Sequence, residues 1–262
     1  MYALKDKCVV LTGASHGIGR ALAPMLAQRG THLVLNAREP LALESSAAEC
    51  RRGAPNCRIL TVAGDASDPG VAQRLVESAR GAGIFHGLIH AAAVFEPGPM
   101  LWELEPQRFH AVFASNVAAT YQLCRFVVPA LLSQGDGGLI VIFGSGAAVK
   151  VQPGIAAYSA SKAAEELMAR HLAEEAPQIT TFVFRPGIVE TRLQKQAREA
   201  TGGAADQIHS LFRPWKEKGM LLAPATSAAR LIEILEDDPR RYHGQIEQSM
   251  EIRSVGRAAE MG

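Results

Sequence analysis

Six short apolar runs, separated by helix-like segments, restrict the fold of this chain more than any other feature. "KCVVLTG", "THLVLNAR", "CRILTVAGD", "GLIHAAAV", "GLIVIFGS" and "ITTFVFRPG" are brief and almost continuously apolar, as strands buried on both faces are. Between them lie amphipathic or alanine-rich stretches such as "GIGRALAPMLAQRG" and "VAQRLVESARGAG". Strand–helix–strand alternation gives right-handed crossovers between parallel neighbours, with helices on both faces of the sheet. The expected architecture is α/β, a doubly wound parallel sheet. No fixed-period repeat, low-complexity tract or long linker divides the chain, so 1–262 reads as a single domain. Residues 190–224 break the alternation; loosely patterned and helical, with Gly202, Gly203 and Gly219 as hinges, they read as a lid over a substrate ahead of the C-terminal part. The residues from about Gly256 read as a frayed tail.

Charge narrows the partners. The chain has 27 basic and 26 acidic residues, interspersed, for a net charge of +1, which leaves no electrostatic footprint for nucleic acid or an anionic membrane. A small molecule is the expected partner. No apolar run approaches the roughly 18 residues of a membrane span, and the first strand-like run follows closely on Met1, so a soluble, cytoplasmic protein is expected. Cys8, Cys50, Cys57 and Cys124 match neither a CxxC metal site nor a disulfide framework. They are expected to be free thiols, although Cys50 and Cys57 would be the pair to close in an oxidising setting, and no metal is expected.

The turn after the first strand, "TGASHGIGRAL", sets Gly13, Gly17 and Gly19 where a helix begins. Glycines there let the backbone approach a pyrophosphate, and the helix N-terminus favours an anion. The spacing is G-x-x-x-G-x-G rather than G-x-G-x-x-G, so position in the fold carries the reading, that of a Rossmann-like nucleotide site. At the end of the second strand, where an acidic residue would bond the ribose of NAD, stand Ala37 and then Arg38. A guanidinium there can grip a 2′-phosphate, which favours NADP, whereas the adjacent Glu39 would serve the 2′-hydroxyl of NAD. Further on, "AAYSASKAAEELMARH" places Tyr158 four residues before Lys162, on one helix face, where an ammonium favours the tyrosinate.

Taken together and in this order, "TGASHGIG", "YSASK" and "RPGIVET" resemble the short-chain dehydrogenase/reductase family over nearly the whole chain. The resemblance implies catalysis by Ser145, thirteen residues before Tyr158, with Tyr158, Lys162 and Asn116. Tyr158 would exchange the proton, its pKa lowered by Lys162 and an oxidised nicotinamide. Ser145 would bond the substrate carbonyl, Lys162 would also hold the nicotinamide ribose, and Asn116 would hold a water that feeds protons to Lys162. The implied cofactor contacts are Gly13, Ser15, His16, Gly17, Ile18, Gly19, Arg38, Asp65, Ala66, Ala91, Ala92, Tyr158, Lys162, Pro186, Gly187, Val189 and Thr191. His16 stands where many NADP-dependent relatives carry arginine or lysine. One element departs: His90-Ala91-Ala92-Ala93 replaces the family's Asn-Asn-Ala-Gly, and His90 reads as a packed or hydrogen-bonded strand-end histidine.

Within the family, "RPGIVETRLQ" and "LFRPWKEKGMLLAPATSAARLIEIL" resemble the sepiapterin reductase and benzil reductase group, which implies NADPH-dependent reduction of a carbonyl. Pocket walls are expected from Ala147, Val149, Ile188, Leu193 and Trp215, joined by Ala148, Phe95, Trp102 and Phe212. An alcohol dehydrogenase or 3-oxoacyl reductase on the same scaffold is the alternative enzyme, and a non-catalytic NADP sensor the alternative of another class. Assembly as a homodimer or homotetramer is expected through the helices after the fourth and fifth strands.

Overall fold

The computed structural model describes residues 4–248. Its strands are β1 (Lys7–Thr12), β2 (His32–Ala37), β3 (Ile59–Ala63), β4 (Ile84–His90), β5 (Gly138–Phe143), β6 (Ile179–Arg185) and β7 (Ile246–Gln248), and they pair in parallel in the order β3-β2-β1-β4-β5-β6-β7. The doubly wound sheet and the single domain are as the sequence implies. β7 is an addition: three residues with one apolar side chain carry no strand signal, and the segment becomes a strand by pairing with Val183–Arg185.

Alternation of side chains across each strand explains why the runs are apolar throughout. Along β1, Val9 and Leu11 point into a core covered by α1 (Gly17–Gln28), α2 (Pro40–Gly53) and α9 (Pro224–Glu236), with Leu22, Leu26, Leu43 and Leu231. Cys8 and Val10 point into the opposite core, where α3 (Pro69–Ala82), α5 (Ala119–Leu132) and α6 (Ala156–Glu175) supply Leu75, Leu123, Val127 and Ala169. Each fully buried leucine contributes about 1.5–3 kcal/mol. Helix starts follow local chemistry: α3 opens on Asp68, whose side chain accepts from Val71 N–H at 2.9 Å, with Pro69 in the first turn.

α4 (Pro106–Phe113) runs through a π-helical turn, Ala114–Ala118, into α5. The resulting 27-residue helix is long and apolar enough, by length and composition, to cross a membrane, which the reading of the sequence did not anticipate. Its stripe Ala119, Leu123, Val127, Ala130 and Leu131 is instead buried against the sheet. The four cysteines are free. The expected tail from Gly256 lies outside the described residues.

Residues 190–224 hold α7 (Arg192–Arg198) and α8 (Ala205–Glu217). A bridge between Val189 and Leu222, with Leu222 N–H donating to Ile188 at 2.8 Å, closes the base of this excursion. Two of the expected hinges are packing points: a Cβ on Gly202 would lie 2.7 Å from the Pro99 nitrogen, and one on Gly203 2.4 Å from Glu103 Oε1. Gly219 faces open space. Strand order reverses direction between β1 and β4, and a crevice at the carboxyl end of such a switch point is where ligands of this architecture bind.

Candidate active site

α6 begins just past Gly154, which has φ +81, and buries Ala157, Ser161, Lys162, Glu165, Glu166, Ala169 and Ala173. The spacing is that of one helix face, but three of its seven members are charged. Lys162 is 2% exposed; its Nζ donates to the Phe143 carbonyl at 2.9 Å and lies 2.9 Å from Glu165 Oε2 and 6.0 Å from the centre of the Tyr158 ring. Burial, the largest single influence, opposes the ammonium, but the combined attraction of Glu165, Tyr158 and Glu166 outweighs it and the Lys162 pKa is raised. For Tyr158 burial dominates: it raises the pKa, against the opposing pull of Lys162 and of the nearby Ser145 hydroxyl. The lysine therefore acts in the expected sense, while the net direction in the protein alone is upward.

Ser145 follows β5 and begins a 3-10 turn, Gly146–Ala148. Its hydroxyl accepts from Ala147 N–H at 3.1 Å, and its own N–H donates to Glu166 Oε1 at 3.1 Å. Glu166 in turn receives Arg185 at 2.8 and 2.6 Å. Asn116 sits in the π-helical turn, where its carboxamide accepts from Val94 N–H at 2.8 Å and donates to the Val94 carbonyl at 3.1 Å and to Ser161 Oγ at 2.9 Å. Ser161 donates onward to the Tyr158 carbonyl at 2.8 Å. The asparagine side chain thus ties the loop after β4 to α6. The side chain in contact with the Lys162 ammonium is Glu165.

At the nucleotide end, Gly13 has φ +69, and a Cβ there would lie 2.7 Å from Ala92 N and 2.9 Å from the Ala91 carbonyl carbon. A Cβ on Gly19 would lie 2.4 Å from the Gly13 oxygen, and one on Gly17 3.3 Å from Thr191. These contacts bring the glycine turn, residues 91–92 and Thr191 together. The N-cap of α1, His16, is extended and makes no side-chain cap; its ring takes a 2.9 Å hydrogen bond with Ser15. Ile18 lies in the first turn of α1. Arg38 is exposed and makes no ion pair or hydrogen bond among the described residues, whereas Glu39 pairs with Arg192 at 3.1 Å. Asp65 Oδ1 accepts from Ser67 N–H at 2.9 Å beside the buried Ala66. Pro186, Gly187 and Val189 follow β6; the Pro186 carbonyl accepts from Ser227 at 2.9 Å and Gly187 has φ +84.

Of the expected pocket walls, Ala147, Leu193, Trp215, Phe95 and Phe212 share one apolar cluster with Tyr158. Phe95 meets the Tyr158 ring edge-on, with centroids 4.7 Å apart. Ile188 is half-buried and lies outside that cluster; Val149 and Trp102 are 69% and 82% exposed and are not part of it. His90 is buried at the end of β4 and hydrogen-bonded to Thr12, as the sequence implies, whereas Glu165, Glu166, Arg185 and Thr120 went unread in the sequence. The available signal was "KAAEE": carboxylates three and four residues after Lys162 share its helix face.

A parallel sheet with a glycine turn at its switch point and a serine, tyrosine and lysine beyond β5 defines a nucleotide-dependent oxidoreductase. The chain belongs to the short-chain dehydrogenase family, whose model, described as short chain dehydrogenase, matches residues 7–202. It is similar to benzil reductase ((S)-benzoin forming) of Saccharomyces cerevisiae, 30% identical over 91% of this chain and 94% of that protein. Sepiapterin reductase of Meriones unguiculatus is 28% identical over 87% of this chain and 91% of its own length. A solved short-chain dehydrogenase/reductase from Saccharomyces cerevisiae superposes with a TM-score of 0.82 at 26% identity, over 94% of this chain and 97% of that one. The family uses a nicotinamide cofactor, and the chain is an oxidoreductase of this family.

Proposed function

We propose that the protein is an NADPH-dependent reductase of ketone or dione carbonyls, with Tyr158 as proton donor. The observation that carries the reading is the place of the Tyr158 phenol. It stands between a polar group, Ser145 and Lys162, and an apolar, aromatic cluster of Phe95, Phe212, Trp215 and Leu193. A carbonyl compound with flat apolar arms would lay those arms on the aromatic rings and direct its oxygen to Tyr158 and Ser145. The name of the yeast relative, a benzil reductase, supports a dione.

The residues fit a nicotinamide dinucleotide. The uncapped start of α1 with Gly13, Ser15, His16, Gly17, Ile18 and Gly19 would hold the pyrophosphate, Asp65 and Ala66 the adenine, Ala91 and Ala92 the adenosine side, and Lys162 the nicotinamide ribose, with Pro186, Gly187, Val189 and Thr191 along the nicotinamide. Arg38 would grip a 2′-phosphate, while Glu39, engaged by Arg192, is drawn away from a 2′-hydroxyl. When bound, the reduced cofactor supplies the hydride; Ser145 orients the carbonyl and Tyr158 gives its oxygen a proton. A soluble cytoplasmic homodimer or homotetramer completes the proposal. Exposed Tyr121 on α5 and Leu167 on α6 supply apolar contacts on the two long helices.

The test is a screen of NADPH and NADH oxidation against aromatic diones, aromatic ketones, sepiapterin and oxoacyl thioesters. Turnover of a dione or ketone with NADPH preferred is the expected result. Exclusive turnover of thioesters would make it a 3-oxoacyl reductase, and no turnover with tight NADPH binding would make it a sensor. Sedimentation at micromolar concentration should show more than the 28.0 kDa protomer.

A further inference from the structure

The buried face of α6 carries a carboxylate to which the mechanism above gives no task. Glu165 is fully buried. Its Oε2 lies 2.9 Å from Lys162 Nζ, and its Oε1 lies 3.1 Å from Thr120 Oγ1 and 3.7 Å from His90 Nε2. Ala92 N–H donates to Thr12 Oγ1 at 3.3 Å, and the Thr12 hydroxyl shares a 2.7 Å hydrogen bond with His90 Nδ1. The other ring nitrogen, Nε2, faces the Glu165 carboxylate. Burial keeps that imidazole neutral, with its pKa pushed down to about 3.

We propose that Glu165 is a positioning residue for the reaction: it anchors the Lys162 ammonium, offsets its charge, and so sets the pH range in which Tyr158 can give its proton to a substrate. This rests on Tyr158 being the proton donor, as proposed above.

The sign follows from charge bookkeeping. The ionisable groups packed around the site are Tyr158, Lys162, Glu165 and Glu166 of α6, His90 of β4 and Arg185 of β6. Glu166 and Arg185 neutralise one another through two hydrogen bonds, and His90 is neutral. Burial raises the Glu165 pKa, against the pull of Lys162 and the Thr120 hydroxyl; with Glu165 ionised against Lys162, what remains is Tyr158, Lys162 and Glu165, with net charge zero while the phenol keeps its proton. Replacing Glu165 by glutamine makes the same group +1. The first proton then leaves at lower pH, whichever of Tyr158 and Lys162 releases it, because the two titrate as a pair.

The experiment is the pH profile of kcat/KM for NADPH-dependent reduction in wild type, Glu165→Gln and Glu165→Asp. In Glu165→Gln the alkaline limb should move to lower pH by about one unit or more, the range for a charge within several ångströms. In the reverse direction, alcohol oxidation needs the deprotonated donor and should extend to lower pH. Glu165→Asp keeps the charge and should hold the limb near its wild-type position. If the glutamine variant does not fold, Glu165→Leu gives the same reading of the limb. A Glu165→Gln or Glu165→Leu enzyme that is slower at every pH, with its limb where wild type has it, would show a purely structural side chain and overturn the inference. Tyr158→Phe separates the two claims. If it retains turnover, the proposed function's mechanism falls; if it is inactive and the limb is unmoved, only the role of Glu165 falls.

Discussion

Removing Glu166 should damage stability and catalysis together. In Glu166→Ala the Arg185 guanidinium, whose side chain is 9% exposed, loses two hydrogen bonds of 2.8 and 2.6 Å, and the Ser145 amide loses its 3.1 Å acceptor. A Cβ on Gly144 would lie only 2.5 Å from Glu166 Oε1, so the carboxylate is packed directly against the backbone that leads into Ser145. Breaking a buried pair from one side typically costs about 3–5 kcal/mol, because the remaining charge stays buried and unpaired. At roughly 2–4 °C per kcal/mol for a chain near this size, the melting temperature should fall by about 10 °C. Glu166→Gln keeps the shape and one acceptor for Ser145, and should lose less. Thermal unfolding followed by circular dichroism, alongside kcat at a temperature where each variant is folded, measures both effects. kcat should fall at least about tenfold in Glu166→Ala, as the Ser145 hydroxyl loses its anchored backbone. A loss below about 1 kcal/mol with unchanged kcat would refute the reasoning, since Arg185 and Ser145 would then have adequate partners without this carboxylate.

Arg38→Ala should weaken NADPH by on the order of 2 kcal/mol, tens-fold in Kd, and leave NADH nearly unchanged; equal losses in fluorescence titrations would reassign the 2′ position to Glu39. Gly13→Ala should abolish cofactor binding and lower the melting temperature, because φ +69 and a Cβ 2.7 Å from Ala92 N leave nowhere for the methyl group. A variant that binds NADPH normally would contradict the packing of that turn. For His90 burial holds the folded pKa at about 3, below the ordinary value of 6.5, so the unfolded chain binds a proton that the folded chain refuses. Stability should therefore decline as pH falls from 6.5 towards 3, by up to about 1.4 kcal/mol per pH unit from this residue, and His90→Asn should flatten that slope in urea unfolding.

The sheet was legible because burial on both faces writes itself into composition: "CVVLT" and "LIVIF" leave little choice of place. β7 was not, since a strand of three residues is made by its neighbour's free edge rather than by its own side chains. Tyr158, Lys162 and Ser145 were found by their spacing and by resemblance, and the structure brings the three together. Val149 and Trp102 show the limit of the same approach: apolar identity does not say which way a loop side chain turns, and both are largely exposed. Glu165 and Glu166 were missed for the opposite reason. Charges on a helix read as its solvated side, and only tertiary partners, Lys162 for one and Arg185 for the other, reverse that. The helix of residues 106–132 escaped notice as a long apolar element because polar Asn116 and Gln122 and the basic Arg125 interrupt the run.

The order of strands also bears on how the molecule comes into being. Thr12 and His90, bonded at the switch point, are 78 residues apart, and Asn116 and Ser161 are 45 apart. Parallel pairing between β1 and β4 requires the chain to carry β2 and β3 through their crossovers first or to close that loop unaided, and non-local pairing of this kind is slow compared with helix formation. The group around Lys162 draws on β1, β4, β5, α5 and α6, so it does not exist until all five have docked. During refolding, the helical signal should return early and the capacity for turnover last, which makes the site a reporter of the completed fold.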